Sequence, residues 1–115
     1  MIRLFYVSTA ALGVTDDDTK DIAATAAEKN ARLGITGALA FNGVNFAQVL
    51  EGEQSVVEKL LDDIKTDKRH SGLVVVDTKT VTERAYNGWS MKMVEGLSFD
   101  EFMAVMLRAG DATAA

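Results

Sequence analysis

The stretch from Gly34 to Gly52, GITGALAFNGVNFAQVLEG, restricts what this chain can fold into more than any other. Two apolar runs meet at Asn42-Gly43, a dipeptide that readily takes the positive φ angles of a tight turn, so the stretch predicts a β-hairpin. Its second arm carries an amide, Gln48, among apolar neighbours. Side chains alternate along a strand, which puts Phe46, Gln48 and Leu50 on one face. A buried glutamine whose donors and acceptor stay unpaired costs about 1–3 kcal/mol. Gln48 therefore either closes a structural hydrogen-bond network or faces a ligand.

The remaining segments supply elements that can pack on such a hairpin. Ile2 to Ser8 is short, apolar and rich in strand formers, and predicts a central strand with Leu4 and Tyr6 on one face. Thr15 predicts a helix N-cap, with Asp18 completing a capping box and Asp16 and Asp17 at the positive end of the helix dipole. That helix is expected from Asp16 to Leu33, closed by Gly34. Ile22, Ala26, Lys29 and Leu33 recur at helical spacing, and Asn30 is a second amide expected to point inward.

A second amphipathic helix is expected from Gln54 to Thr66, with Val56, Val57, Leu60, Leu61 and Ile64 as its apolar stripe. The cations around Asp67-Lys-Arg-His70 suit either the dipole of that helix end or an anion. Leu73-Val-Val-Val76 predicts an interior strand buried on both faces. Trp89 to Val94 predicts a last short strand with Trp89, Met91 and Met93 on one face. Ser98 and Glu101 read as a capping box for a third helix with Phe99, Phe102, Met103, Met106 and Leu107 on its apolar face, stopped by Gly110 before a frayed tail. That apolar face suits either the sheet or a second copy of the chain, so a homo-oligomer is one expectation. The order βαββαββα predicts an α+β sandwich of ferredoxin-like type: a mixed sheet with two helices on one face, plus a C-terminal helix.

Composition narrows the function. A chain of 115 residues is one domain by size, and a net charge of −5 disfavours nucleic acid and anionic membranes as partners. The absence of cysteine removes disulfides, thiolate metal sites and thiol nucleophiles, and a single histidine, His70, gives a metal site no second imidazole. Phosphate loops, GxSxG and HExxH are all missing from the sequence, so hydrolase chemistry has no support. No apolar run reaches the roughly 18 residues of a membrane helix, and a cytoplasmic location is expected. The groups left with chemistry in them are Tyr6, Asn30, Gln48, the Trp89/Met91 pair and the basic end of the second helix.

In that order and spacing, these segments resemble the BLUF family, blue-light sensors using flavin. The resemblance rests on Tyr6-Val-Ser8, on Asn30 followed by Gly34-Ile-Thr-Gly37 and Leu39, and on Phe46-Ala-Gln-Val-Leu-Glu-Gly52. Asp67-Lys-Arg-His70 and Arg84-Ala-Tyr-Asn-Gly-Trp-Ser-Met91 extend it, and Tyr86 stands where the family usually has phenylalanine. The resemblance implies a flavin, FAD with FMN as the alternative, held between the first two helices. It places Gln48 between the Tyr6 hydroxyl and the flavin N5/C4=O edge, Asn30 at the C4=O/N3 edge, and Leu39 and Phe46 as apolar walls. Arg69 and His70 would lie at the ribityl-phosphate end or ring edge, Lys29 near the ring, and either Met91 or Trp89 would close the pocket beside Gln48. Tyr86 is expected away from the ring.

Blue light would then drive an electron and a proton from Tyr6 through Gln48, leaving the amide rearranged and the flavin slightly red-shifted without net turnover. Residues 1–95 would form the sensor and 96–115 a C-terminal helix and tail, signalling to a protein partner or effector domain outside this chain. The competing reading is a chromophore-free ferredoxin-like regulatory or dimerisation module in which Tyr6 and Gln48 are a structural pair. A flavin oxidoreductase would need an open substrate face and a hydride acceptor that the sequence does not display.

Overall fold

The computed structural model describes residues 1–94 and 99–107. Its elements run β1 (Ile2–Ala10), α1 (Asp16–Leu33), β2 (Thr36–Phe41), β3 (Asn45–Gly52), α2 (Gln54–Lys65), β4 (His70–Thr80), β5 (Lys92–Val94) and α3 (Phe99–Met106). The five strands form one sheet in the order β4-β1-β3-β2-β5. The first four alternate in direction and β5 runs parallel to β2, which gives the mixed ferredoxin-like sheet.

Local chemistry explains most boundaries. Thr15 and Asp18 form the reciprocal capping box, Asp18 N donating to Thr15 Oγ1 at 3.1 Å and Thr15 N to Asp18 Oδ2 at 2.9 Å. Gly34 closes α1 in the left-handed region at φ 69°, where a side chain would be strained. The hairpin forms, but its turn is not the one expected. Only Gly43 has positive φ, and Asn42 serves through its side chain, Oδ1 accepting from Val44 N at 2.8 Å and Asn45 N at 2.6 Å.

The sheet separates two cores. On one face, α1 and α2 cover Leu4, Tyr6, Leu39, Phe46 and Leu50. On the other, Phe102 and Met106 of α3 pack on Phe5, Ala38, Ala47 and Val49, with the Phe5 and Phe102 rings edge-on at 5.6 Å. The C-terminal helix therefore covers the back of the sheet. A buried ion pair lies in this second layer: Arg3 Nε donates to Glu51 Oε2 at 2.8 Å, and both side chains are fully excluded from solvent. Buried charges survive only when their remaining donors and acceptors are matched. Here Glu51 also accepts from Thr36 Oγ1, Ala85 N and Tyr86 N, and Arg3 donates to the carbonyls of Glu83 and Val105.

Several expectations are corrected. β4 is an edge strand, not an interior one, and Val74, Val75 and Val76 are 58%, 39% and 43% exposed. A β-branched run fits any strand, and at the sheet edge these consecutive valines, which alternate between the two faces, are partly exposed on both. The last strand is shorter than expected, starting at Lys92 and leaving Trp89 and Met91 outside it; Trp89 and Met93 are exposed while Met91, expected on their face, is buried. On α1 the buried positions are Thr19, Ala23 and Asn30, and Leu33 lies 40% exposed in the last turn. Leu107, expected on the apolar face of the third helix, is exposed. The capping role of Ser98, the stop at Gly110 and the fraying of the tail fall outside the described residues. No described helix is long and apolar enough to cross a membrane.

Candidate functional site

Strand register builds the floor of the site. Tyr6 of β1 pairs with Gln48 of β3, and Gln48 pairs with Leu39 of β2, so three side chains form one row across the sheet. Directly opposed residues hold their Cβ atoms about 4.5–5.5 Å apart, within reach of a phenol and an amide. The Tyr6 hydroxyl donates to Gln48 Oε1. With its oxygen so engaged, the amide turns its nitrogen the other way, and Nε2 donates to Met91 Sδ at 3.5 Å. Both side chains are buried.

The walls come from the helices. Between α1, α2 and the sheet lies a slot of 240 Å³ lined by Tyr6, Ile22, Ala26, Leu39, Phe46, Gln48 and Leu60 among others. Alanine on the inward side of α1 keeps the slot open, because a larger residue there would fill it. Asn30, 1% exposed, enters from the last turn of α1 and donates through Nδ2 to Ser90 O at 3.0 Å. Phe41 stacks on Phe46 with ring centroids 4.9 Å apart and stiffens the far wall.

The mouth is charged. Asp63, Asp67, Arg69 and Lys29 line it, with Lys29 Nζ 3.5 Å from Asp63 Oδ2 and Arg69 Nε donating to Asp67 Oδ1 at 2.9 Å. His70 bridges mouth and floor. Its Nε2 lies 2.7 Å from the carbonyl oxygen of Ile64, which can only accept, so Nε2 carries the proton. In the neutral ring Nδ1 is then an acceptor, and the Ser8 hydroxyl donates to it across 2.7 Å. This also caps the last turn of α2, at the end where the sequence offered cations for either the helix dipole or an anion.

Two groups of the site have shifted acidity. Burial, reinforced by the Asp67 carboxylate, pushes the Tyr6 phenol well above its ordinary value. The Arg69 guanidinium bonded to Asp67 holds that carboxyl down at about 2. Tyr6 therefore keeps its proton at every physiological pH and presents it to one acceptor only.

The structure thus brings Tyr6, Gln48, Asn30, Leu39, Phe46, Lys29, Arg69 and His70 to one slot and Met91 to the Gln48 amide. It does not bring Trp89 there: that ring is 53% exposed and lies 5.8 Å from the Lys92 ammonium. Tyr86 sits in the other core, beneath α3, and its hydroxyl has no hydrogen-bond partner among the described residues. Sequence reasoning did not assign Ile22, Thr25, Leu60, Asp63, Ile64 or Asp67 to the slot, nor Ser8 to His70; the α2 residues follow from helical spacing once its slot-facing side is known.

The sequence profile of BLUF, described as sensors of blue-light using FAD, matches residues 1–92. This chain belongs to the BLUF family. A BLUF domain is a photosensory module that binds a flavin and responds to blue light, and that is the class of this chain. The photoactivated adenylate cyclase subunit beta of Euglena longa is 37% identical over 86 residues, which are 75% of this chain and 10% of that protein. The chain spans about a tenth of the length of the curated relatives it matches. Among solved structures, the BLUF protein BlrB in its dark state superposes with a TM-score of 0.77 at 36% identity, covering 82% of this chain and 71% of that one. BlsA in its photo-activated state gives 0.79 at 34% identity, covering 92% and 77%.

Proposed function

We propose that the slot holds the isoalloxazine ring of FAD, with Gln48 and Asn30 directed at its polar edge and Leu39, Phe46, Ile22 and Leu60 against its faces. The fit rests on the donor set: two buried amides converge on the slot, Gln48 with hydrogen-bonding capacity beyond its bonds to Tyr6 and Met91 and Asn30 with capacity beyond its bond to Ser90. At 240 Å³ the slot is smaller than the roughly 300–1,000 Å³ of whole-ligand sites, which suits a ring with its ribityl and phosphate groups outside. Arg69 and Lys29 at the mouth suit those phosphates. Released cofactor identified by mass distinguishes FAD from FMN.

The flavin, when bound, supplies the blue absorption and the excited-state pull on an electron. The residues do the rest. Tyr6 holds its proton in the dark, so it would be oxidised as the neutral phenol, which oxidation makes strongly acidic, and the hydrogen bond offers that proton a path from Oη to Gln48 Oε1. When electron and proton return to Tyr6, the amide is left reversed, its oxygen where Nε2 was. Tyr6 ends as it began and no substrate is consumed. Met91, beside the amide nitrogen, is the residue we assign to sense the reversal, with Trp89 left at the surface.

We further propose that residues 1–95 act as the sensor and that the helix beginning in 96–115 carries the output to an effector outside this chain. The observation that carries the reading is the Tyr6–Gln48 hydrogen bond at the floor of the slot. The test is an absorbance spectrum in the dark and after a blue flash. A flavin band that moves slightly red and relaxes supports the reading. A bleached band means photoreduction, and a colourless protein that takes up no added flavin returns Tyr6 and Gln48 to a structural role.

A further inference from the structure

The segment 83–91 is held from both faces of the sheet. On the slot side, Gln48 Nε2 donates to Met91 Sδ at 3.5 Å and Asn30 Nδ2 to Ser90 O at 3.0 Å. On the other side, Glu51 accepts from Ala85 N at 2.7 Å and Tyr86 N at 2.9 Å. A turn joins the halves, Trp89 N donating to Tyr86 O at 2.9 Å, with Gly88 at φ 87°. Glu51 is bonded in turn to Arg3 Nε at 2.8 Å, and the other arms of Arg3 donate to Glu83 O and to Val105 O of α3, both at 3.1 Å.

We propose that Glu51 and Arg3 are positioning residues that couple the slot to α3: Glu51 sets where Met91 meets the Gln48 amide, and Arg3 ties that setting to the last turn of α3. The inference rests on the relay proposed above, since only a reversed amide gives the pair something to transmit. Reversal presents the amide oxygen to the thioether sulfur, and neither carries a proton to share, so the Met91 contact is lost. The segment then shifts from its slot end. Its other end does not yield easily, because two backbone N–H groups sit on one carboxylate whose charge, like its partner's, is wholly buried. Stretching such a pair leaves both charges under-satisfied in a low dielectric. The displacement passes to Arg3, and packed interfaces respond by switching rather than by gradual deformation.

The experiment uses the flavin-loaded protein in dark and light, with two readouts: the absorbance shift with its dark recovery, and hydrogen exchange of the amides in 99–106. Glu51→Gln keeps the shape but sets an NH2 against Arg3 or a backbone N–H. We expect it to retain the red shift, to recover in the dark about fivefold faster or slower, and to lose about fivefold or more of the light–dark exchange difference in α3, the low end of ordinary coupling between sites. Thr36→Val removes the hydroxyl that donates to Glu51 Oε1 at 3.0 Å and accepts from Arg84 Nη1 at 2.9 Å, loosening the same carboxylate and segment, and should act in the same direction more weakly. It also serves if Glu51→Gln does not fold. A loaded wild type with no red shift sinks the relay itself. A wild type that shifts without any exchange response in α3, or variants with wild-type recovery and exchange difference, overturns the coupling pair.

Discussion

At the scale of the residue, the central pair is Tyr6 and Gln48. Replacing Tyr6 by Phe removes one hydroxyl and leaves the ring, so the slot keeps its shape and flavin binding should persist. The reversible red shift should vanish, and likewise in Gln48→Ala; a shift that survives in either protein disproves the relay. Both phenols of the chain are buried, and burial raises both, Tyr86 to about 12. A raised phenol favours the folded state below its unfolded value of 10, and that contribution is lost as pH climbs above 10. An alkaline titration should therefore show no tyrosinate absorbance at pH 10 to 11 until the protein unfolds, and then both at once. Asp67 has the opposite sign. Its carboxyl is depressed from 3.8 to about 2, so its contribution is full above pH 4 and disappears between 4 and 2. Arg69 is half exposed, which limits the pair to less than about 1 kcal/mol. Asp67→Asn should flatten the acid limb of the stability curve in that interval by no more than this.

At the scale of the element, the close approach of β2 and β3 is decisive. A Cβ on Gly37 would lie 2.0 Å from the carbonyl oxygen of Val49, a backbone atom that cannot move aside without breaking the ladder. Gly37→Ala should cost about 4 kcal/mol or more in chemical denaturation, in the range reserved for core disruption, and should lower flavin content. β4 makes the contrast. Its valine run read as an interior strand, yet among the described residues a strand pairs with it on one side only. Val74→Lys on this edge should change stability by about 0.5 kcal/mol or less, as exposed positions do; a loss of several kcal/mol would show that something covers the edge in solution. The hairpin and the first two helices were legible because each is set by local signals: Asn-Gly, a capping box, a terminal glycine, a 3.6-residue stripe. Burial of β4 and the length of β5 were not, because both depend on which strand lies beside them.

At the scale of the whole molecule, the fold is two cores divided by one sheet, an open slot in one and a buried ion pair in the other. A flavin that binds only the folded chain stabilises it by mass action, about 2.7 kcal/mol at a free concentration one hundred times Kd. Melting the loaded and stripped proteins side by side should show that gap, with the melting temperature rising further as flavin is added. Equal stability of the two would mean that flavin has no preference for the folded chain.

The sequence by itself determined the order of elements, the caps, the hairpin and the identity of the groups with chemistry in them. It did so because helix periodicity, turn preference and unusual polar residues in apolar runs are properties of neighbours along the chain. Tertiary structure alone decided that Met91 rather than Trp89 meets Gln48, that Arg3 and Glu51 neutralise each other out of water, and that β4 is an edge. Arg3 and Glu51 stand 48 residues apart, and each looks like an ordinary surface charge until the sheet brings β1 beside β3. Which charges are buried and which apolar residues are exposed is a property of the assembled layers, and no window along the chain contains it.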